Sequence, residues 1–122
     1  MSTSGSTLEA LNRKGAAMSS TDSPIEPENC NNMTEVRAGV DAVDAKLVEL
    51  LAVRFAYMDA AARIKTDRAA VRDEARKQQV LRHVQDAAHQ TGIPVDVIAD
   101  LWERLIEASI AYELDQWDAS RV

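Results

Sequence analysis

Cysteine is all but absent: Cys30 is the single one in 122 residues. That excludes a disulfide framework and a multi-cysteine metal site, and it suits a reducing compartment. The two histidines, His83 and His89, are not spaced to share one helix face as a metal pair. There is no glycine-rich phosphate loop, no conspicuous Ser-His-Asp set and no internal repeat, so nothing in the chain asks for a metal or an organic cofactor. No apolar run is long enough to cross a bilayer. The N-terminus has no basic segment followed by an apolar one, so a secretory signal is not expected and the cytoplasm is the expected compartment. Aromatic residues make up only 4% of the chain and glycine occurs 4 times. With abundant alanine, that composition leans to an all-α fold. The net charge of −6 excludes a non-specific nucleic-acid surface, but not a small anionic ligand held by a few local cations.

What is present is a long apolar stripe with charges set into it. Residues 1–33 read as a disordered N-terminal tail, rich in Ser, Thr, Gly, Asn and Pro, with a short helical turn expected near Leu8 to Arg13. Residues 34–120 form the expected helical domain. Asn31, Asn32 or Thr34 caps a first helix that ends after Lys65. Along it Val36, Val40, Val43, Leu47, Leu50, Arg54, Tyr57 and Ala61 alternate in steps of four and three, the signature of one packed face. Arg54 interrupts that face, and a parallel row through Leu51, Phe55, Met58 and Ala62 ends in a second cation, Lys65. A loop through Ala69 to Arg72 leads to Asp73, the expected N-cap of a second helix over Glu74 to Gln90. Gly92 stops that helix and Pro94 opens a third near its first position. The third stripe includes Leu105, Ile106, Ser109 and Tyr112 and then meets Glu113 where an apolar residue is expected, ending near Ala119.

Arg54 and Lys65 lie eleven positions apart, close to three helical turns, so they share a face about 16 Å apart along the axis. Two long side chains leaning inward reach one small molecule between them. Arg37 sits at the edge of the same stripe but about 25 Å from Arg54 along the rod. It joins the same site only from a second, antiparallel copy of the helix. A helix of about 30 residues is also too long for two shorter partners to cover, and an isologous homodimer answers both problems.

The segments VRAGVDAVD (Val36 to Asp44), LVELLAVRFAYMDAAARIK (Leu47 to Lys65), VRDEARKQQVL (Val71 to Leu81) and LIEASIAYE (Leu105 to Glu113), in this order and spacing, resemble the all-helical (AroQ-class) chorismate mutases. The resemblance implies intertwined dimers of three-helix chains with shared active sites. It implies a small dianionic substrate, chorismate, rearranged to prephenate for aromatic amino-acid synthesis. Carried over by position, Arg37 is the arginine that the partner subunit offers to one substrate carboxylate. Arg54 holds the other carboxylate, and Lys65 meets the ether oxygen and a carboxylate. Asp73 sits beside the ring hydroxyl, Arg76 adds a further cation, and Ser109 and Glu113 line the pocket from the third helix.

Two positions depart from that pattern. Glu113 stands where the bacterial enzymes usually carry a glutamine that donates to the ether oxygen. Lys77 stands where a glutamate commonly binds the ring hydroxyl. Glu113 assists as a donor only when protonated, which predicts activity that is better at mildly acid pH and falls as Glu113 ionises. The isochorismate-pyruvate lyases of the same fold also lack the glutamate at the Lys77 position. They share local likeness in RFAYMDAAARIK and in the run Ile110, Ala111, Trp117. The aminodeoxychorismate mutases are a further relative, and a non-enzymatic helical dimerisation module, with its cations paired across a seam, is the rival outside enzymes.

Overall fold

The computed structural model describes residues 23–122. The described residues form helices and turns without strands. Helix α1 spans Met33–Ile64, α2 Glu74–Thr91 and α3 Val95–Ala119, with 3-10 turns at Pro27–Asn29 and Arg68–Ala70. The expected turn near Leu8 to Arg13 lies outside the described residues. The chain divides between Glu49 and Leu50 into two units, and α1 runs through the division.

In the first unit the helix start is set by local chemistry. Asn32 Oδ1 accepts from the Glu35 N–H at 2.9 Å, while Glu35 Oε1 accepts from the Asn31 N–H at 2.8 Å. Two donors that the first turn leaves open are thereby satisfied reciprocally. The residues just before the helix bend back along it, and Ile25, Pro27 and Cys30 line a groove with Val36, Val40 and Val43. Little else covers the apolar stripe in this unit: Val40, Val43 and Leu47 are 52%, 59% and 51% exposed. The stripe read as a packed face is therefore only partly covered within its own unit, because periodicity reports that a face is apolar and not what covers it.

The second unit holds the buried residues. Ala62, Val71, Ala88 and Ile106 are its buried apolar side chains, and Ser109 and Glu113 are buried beside them. Helix α1 ends at Ile64, one residue before the expected boundary, although the Lys65 N–H still bonds the Ala61 carbonyl at 2.9 Å. The connection to α2 is more ordered than a loop. Asp67 accepts from the Ala69 N–H, a 3-10 turn follows, and Val71 turns inward. Asp73 caps α2 by accepting from the Arg76 N–H at 3.0 Å, as the sequence predicts. At the far end Gly92 adopts φ 77°, and its N–H bonds back to the last turn. A side chain there would meet no neighbour but would be strained by the left-handed backbone. Pro94 stands one place before α3 rather than inside it, and α2 packs against α3.

Two contacts fix α3 to the second half of α1. The Tyr112 hydroxyl donates to Asp59 Oδ1 at 2.7 Å, and its ring meets Phe55 edge-on at 5.0 Å between centroids. Offset aromatic contacts of this kind add about 1 kcal/mol beyond the area they bury. They set the rotation of α3 that turns Ser109 and Glu113 inward.

Candidate functional site

Arg54 points from α1 toward α3, half-buried, and its Nη1 donates to Ser109 Oγ at 2.7 Å. The Ser109 hydroxyl in turn donates to the Leu105 carbonyl one turn back, at 2.6 Å. With its proton directed there, the oxygen presents a lone pair to the guanidinium. Burial lowers the Arg54 pKa from its ordinary value, and the neighbouring Arg76 guanidinium pushes it the same way. Arg54 forms no ion pair among the described residues. A half-buried cation that feels a second positive charge and is hydrogen-bonded to a hydroxyl is an environment that an anion relieves.

One turn beyond Ser109 on α3, Glu113 meets Lys65. Lys65 Nζ lies 2.8 Å from Glu113 Oε2, with the lysine side chain 30% exposed and the glutamate 5%. The ammonium is the partner that this buried carboxylate oxygen has. Removing one member of such a pair leaves a buried charge uncompensated, which is strongly destabilising. An exposed Glu113 at a frayed helix end is the arrangement its position near the C-terminus would otherwise suggest. The structure has it buried instead.

Arg76 is exposed at the start of α2 and donates from Nη1 to Gln79 Oε1 at 2.6 Å. Its electrostatic effect on Arg54 puts the two in one neighbourhood. The Asp73 carboxylate is engaged as the cap of α2. Lys77 is turned elsewhere, with its Nζ 2.7 Å from Glu103 Oε2 and 2.7 Å from Glu107 Oε2, on α3. Arg72 completes the group by holding Glu107 at 2.6 Å and Glu74 at 2.7 Å. Hydrogen bonds from Arg72 and Lys77 pull the Glu107 carboxyl down to about 2. The same bonds to Glu103 and Glu107 raise the Lys77 pKa. Arg37 belongs to the first unit, where it is exposed and has no ion pair or hydrogen-bonding side-chain partner among the described residues.

Five of the eight residues proposed from sequence therefore gather in the second unit as a connected charge pattern: Arg54, Ser109 and Arg76 at one end, Lys65 and Glu113 at the other. Asp73 and Lys77 have structural partners of their own. The group of Arg72, Glu103 and Glu107 was not singled out from sequence. Its only signal there is the spacing of four between two glutamates, which places them on one face of α3. Among the described residues no cluster of His, Cys, Asp or Glu is arranged to hold a metal. No described helix is long and apolar enough to cross a membrane.

Across 95 residues the chain is 27% identical to the isochorismate pyruvate lyase of Pseudomonas aeruginosa, covering 78% of this chain and 94% of that protein. The family model for chorismate mutase type II matches residues 36–114, a span that includes every site residue proposed from sequence. The chain belongs to the chorismate mutase type II family.

Proposed function

We propose that the protein is a chorismate mutase that rearranges chorismate to prephenate in a homodimer with shared sites. One observation carries the reading: a half-buried Arg54, hydrogen-bonded to Ser109, forms no ion pair among the described residues. A substrate carboxylate supplies the missing charge. The rearrangement is pericyclic and uses no nucleophile; what it requires is a flexible dianion folded so that the bond-forming carbons meet. Holding both carboxylates gives that positioning, which is worth several kcal/mol when the geometry is right. Arg54 takes one carboxylate and the partner's Arg37 takes the other. Lys65 faces the ether oxygen, on which negative charge grows as the bond breaks, so its ammonium favours the transition state over the substrate.

The exposed stripe of the first unit supports the dimer. Val36, Val40, Val43 and Leu47 make a continuous apolar row of the kind that a soluble chain buries against a partner. An antiparallel second copy covers the row and brings its own Arg37 to the site. Glu113 shapes the chemistry from the other side. While ionised it pairs with Lys65 and offsets the charge that the transition state needs.

The relative in Pseudomonas aeruginosa favours a second reading, isochorismate-pyruvate lyase activity, since the match covers nearly all of that protein. Incubating the protein with chorismate and with isochorismate side by side separates the two. The mutase reading expects loss of chorismate absorbance with prephenate formed. Salicylate released from isochorismate, with chorismate untouched, would establish the lyase instead. If neither compound is consumed and neither raises the melting temperature, the chain is a helical interaction module.

A further inference from the structure

The end of α1, next to Lys65, is closed by the side chains of Trp117 and Arg121. Because α1 stops at Ile64, carbonyls of its last turn have no amide above them. Arg121 Nη1 donates to the Ala62 carbonyl at 2.8 Å, and Nη2 donates to the Lys65 carbonyl at 2.6 Å. Trp117 Nε1 donates to the same Lys65 carbonyl at 3.1 Å. The guanidinium also lies over the Trp117 ring, 4.3 Å from its centroid. A planar fork that meets two acceptors suits this place, and a positive charge is favoured at a helix C-terminus.

Trp117 is one helical turn beyond Glu113 on α3. That helix and the residues after it therefore hold Lys65 twice, by the ammonium through Glu113 and by the carbonyl through Trp117 and Arg121. Lys65 lies just outside α1, where its N–H still bonds the Ala61 carbonyl but its own carbonyl has no helical amide to meet it. Its direction then depends on these donors.

We propose that Arg121 and Trp117 are positioning residues that fix the Lys65 backbone so that its ammonium faces the reacting oxygen. Both lie beyond residues 36–114, the span matched by the family. The proposal rests on the role given to Lys65 in the mutase reading. A cap that served stability alone would change the melting temperature and leave turnover intact at temperatures well below it.

The test compares Arg121→Met, Arg121→Lys and Trp117→Phe in the full chain. Arg68→Ala is the control, because it removes the nearby Arg68–Asp118 pair at 2.8 Å without touching either carbonyl. Arg121→Met is expected to lower kcat on chorismate about tenfold with KM changed less than about twofold, since small misplacement of a catalytic group costs turnover first. Trp117→Phe should show a smaller loss of the same kind. Arg121→Lys should recover part of the loss, and Arg68→Ala should match the parent protein. A second readout is independent of turnover: acylation of the Lys65 amine by a small activated ester, followed by peptide mass spectrometry. Arg121→Met should speed labelling of Lys65, and Arg68→Ala should not. Unchanged kcat and labelling in Arg121→Met, or an equal loss of kcat in Arg68→Ala, would overturn the proposal. If the parent protein consumes neither chorismate nor isochorismate, the mutase reading fails by itself. Faster Lys65 labelling in Arg121→Met would then still support the anchoring, and unchanged labelling would refute it.

Discussion

The two units of the chain answer to opposite rules. In residues 23–49 the large apolar side chains of α1 are exposed, and Arg37 has no side-chain partner among the described residues. In residues 50–122 the charged groups are heavily tied: Lys65 to Glu113, Arg68 to Asp118, and Lys77 and Arg72 to Glu107. Arg54 differs from these, being half-buried and without a carboxylate partner among the described residues. The difference teaches what each unit needs from outside itself. Exposed apolar side chains occur in both units, Val40, Val43 and Leu47 in the first and Val53, Tyr57 and Leu101 in the second, so both need a covering surface, whereas the need for an anion, at Arg54, belongs to the second.

The largest effect expected is from Arg54→Ala, which should lower kcat/KM by roughly a hundredfold or more by removing a positioned cation. Circular dichroism should remain helical, since Arg54 has no ion pair to lose. Mixing that variant with Arg37→Ala sharpens the comparison of the two units. If the first unit of one chain serves the second unit of another, heterodimers hold one intact site and part of the activity returns. No recovery on mixing would confine each site to a single chain.

Leu47→Asp comes next. Leu47 is 51% exposed in the first unit, so within one chain the substitution should cost almost nothing. In a dimer it places a carboxylate in an apolar seam, where burial of an unpaired charge is costly. Sedimentation should show a dimer-to-monomer shift, with activity falling in parallel. A variant that sediments as the parent does would show that the stripe is covered by something other than a second copy.

Much of this arrangement was legible in the sequence because its signals are local. Asp73 caps α2 through the amide three residues on, and Gly92 ends it by its own backbone conformation. The stepping of apolar residues placed Arg54 on α1 and Ser109 and Glu113 on α3, and put Lys65 at the end of α1 where the structure has it one residue past the end. Lys77 was illegible for a different reason. Read by position it faces substrate, but its partners Glu103 and Glu107 depend on the register of α2 against α3, which no residue near Lys77 encodes. Arg121 was missed likewise, since its acceptors are backbone carbonyls 59 and 56 positions away. Backbone acceptors leave no mark on the choice of side chain.

A smaller effect, confined to the second unit, is expected of Glu113→Gln. An amide keeps the shape, donates at every pH and leaves the Lys65 ammonium unpaired. At pH 7 the variant should turn chorismate over about threefold faster than the parent protein, because the Lys65 ammonium is no longer offset by a carboxylate. Equal kcat values would remove the glutamate from the mechanism and leave its pair with Lys65 a structural one.

The smallest effect concerns stability rather than catalysis, and it probes how self-sufficient the second unit is. Arg72 and Lys77 hold the Glu107 carboxyl at about 2, against an ordinary value of 4.5. Because the folded state binds this proton more weakly than the unfolded chain does, the group stabilises the fold fully above about pH 4.5. That contribution falls away as the pH drops from about 4.5 toward about 2, where the folded carboxylate also protonates. The carboxylate is solvent-exposed, so water and salt screen it and the effect is small. Thermal melts of the parent and of Glu107→Gln should therefore differ by a small, constant gap above pH 4.5 that narrows on acidification and shrinks in high salt. A gap that widened toward pH 2 would mean that Arg72 and Lys77 gain nothing from Glu107, and that α2 is held to α3 by apolar packing alone.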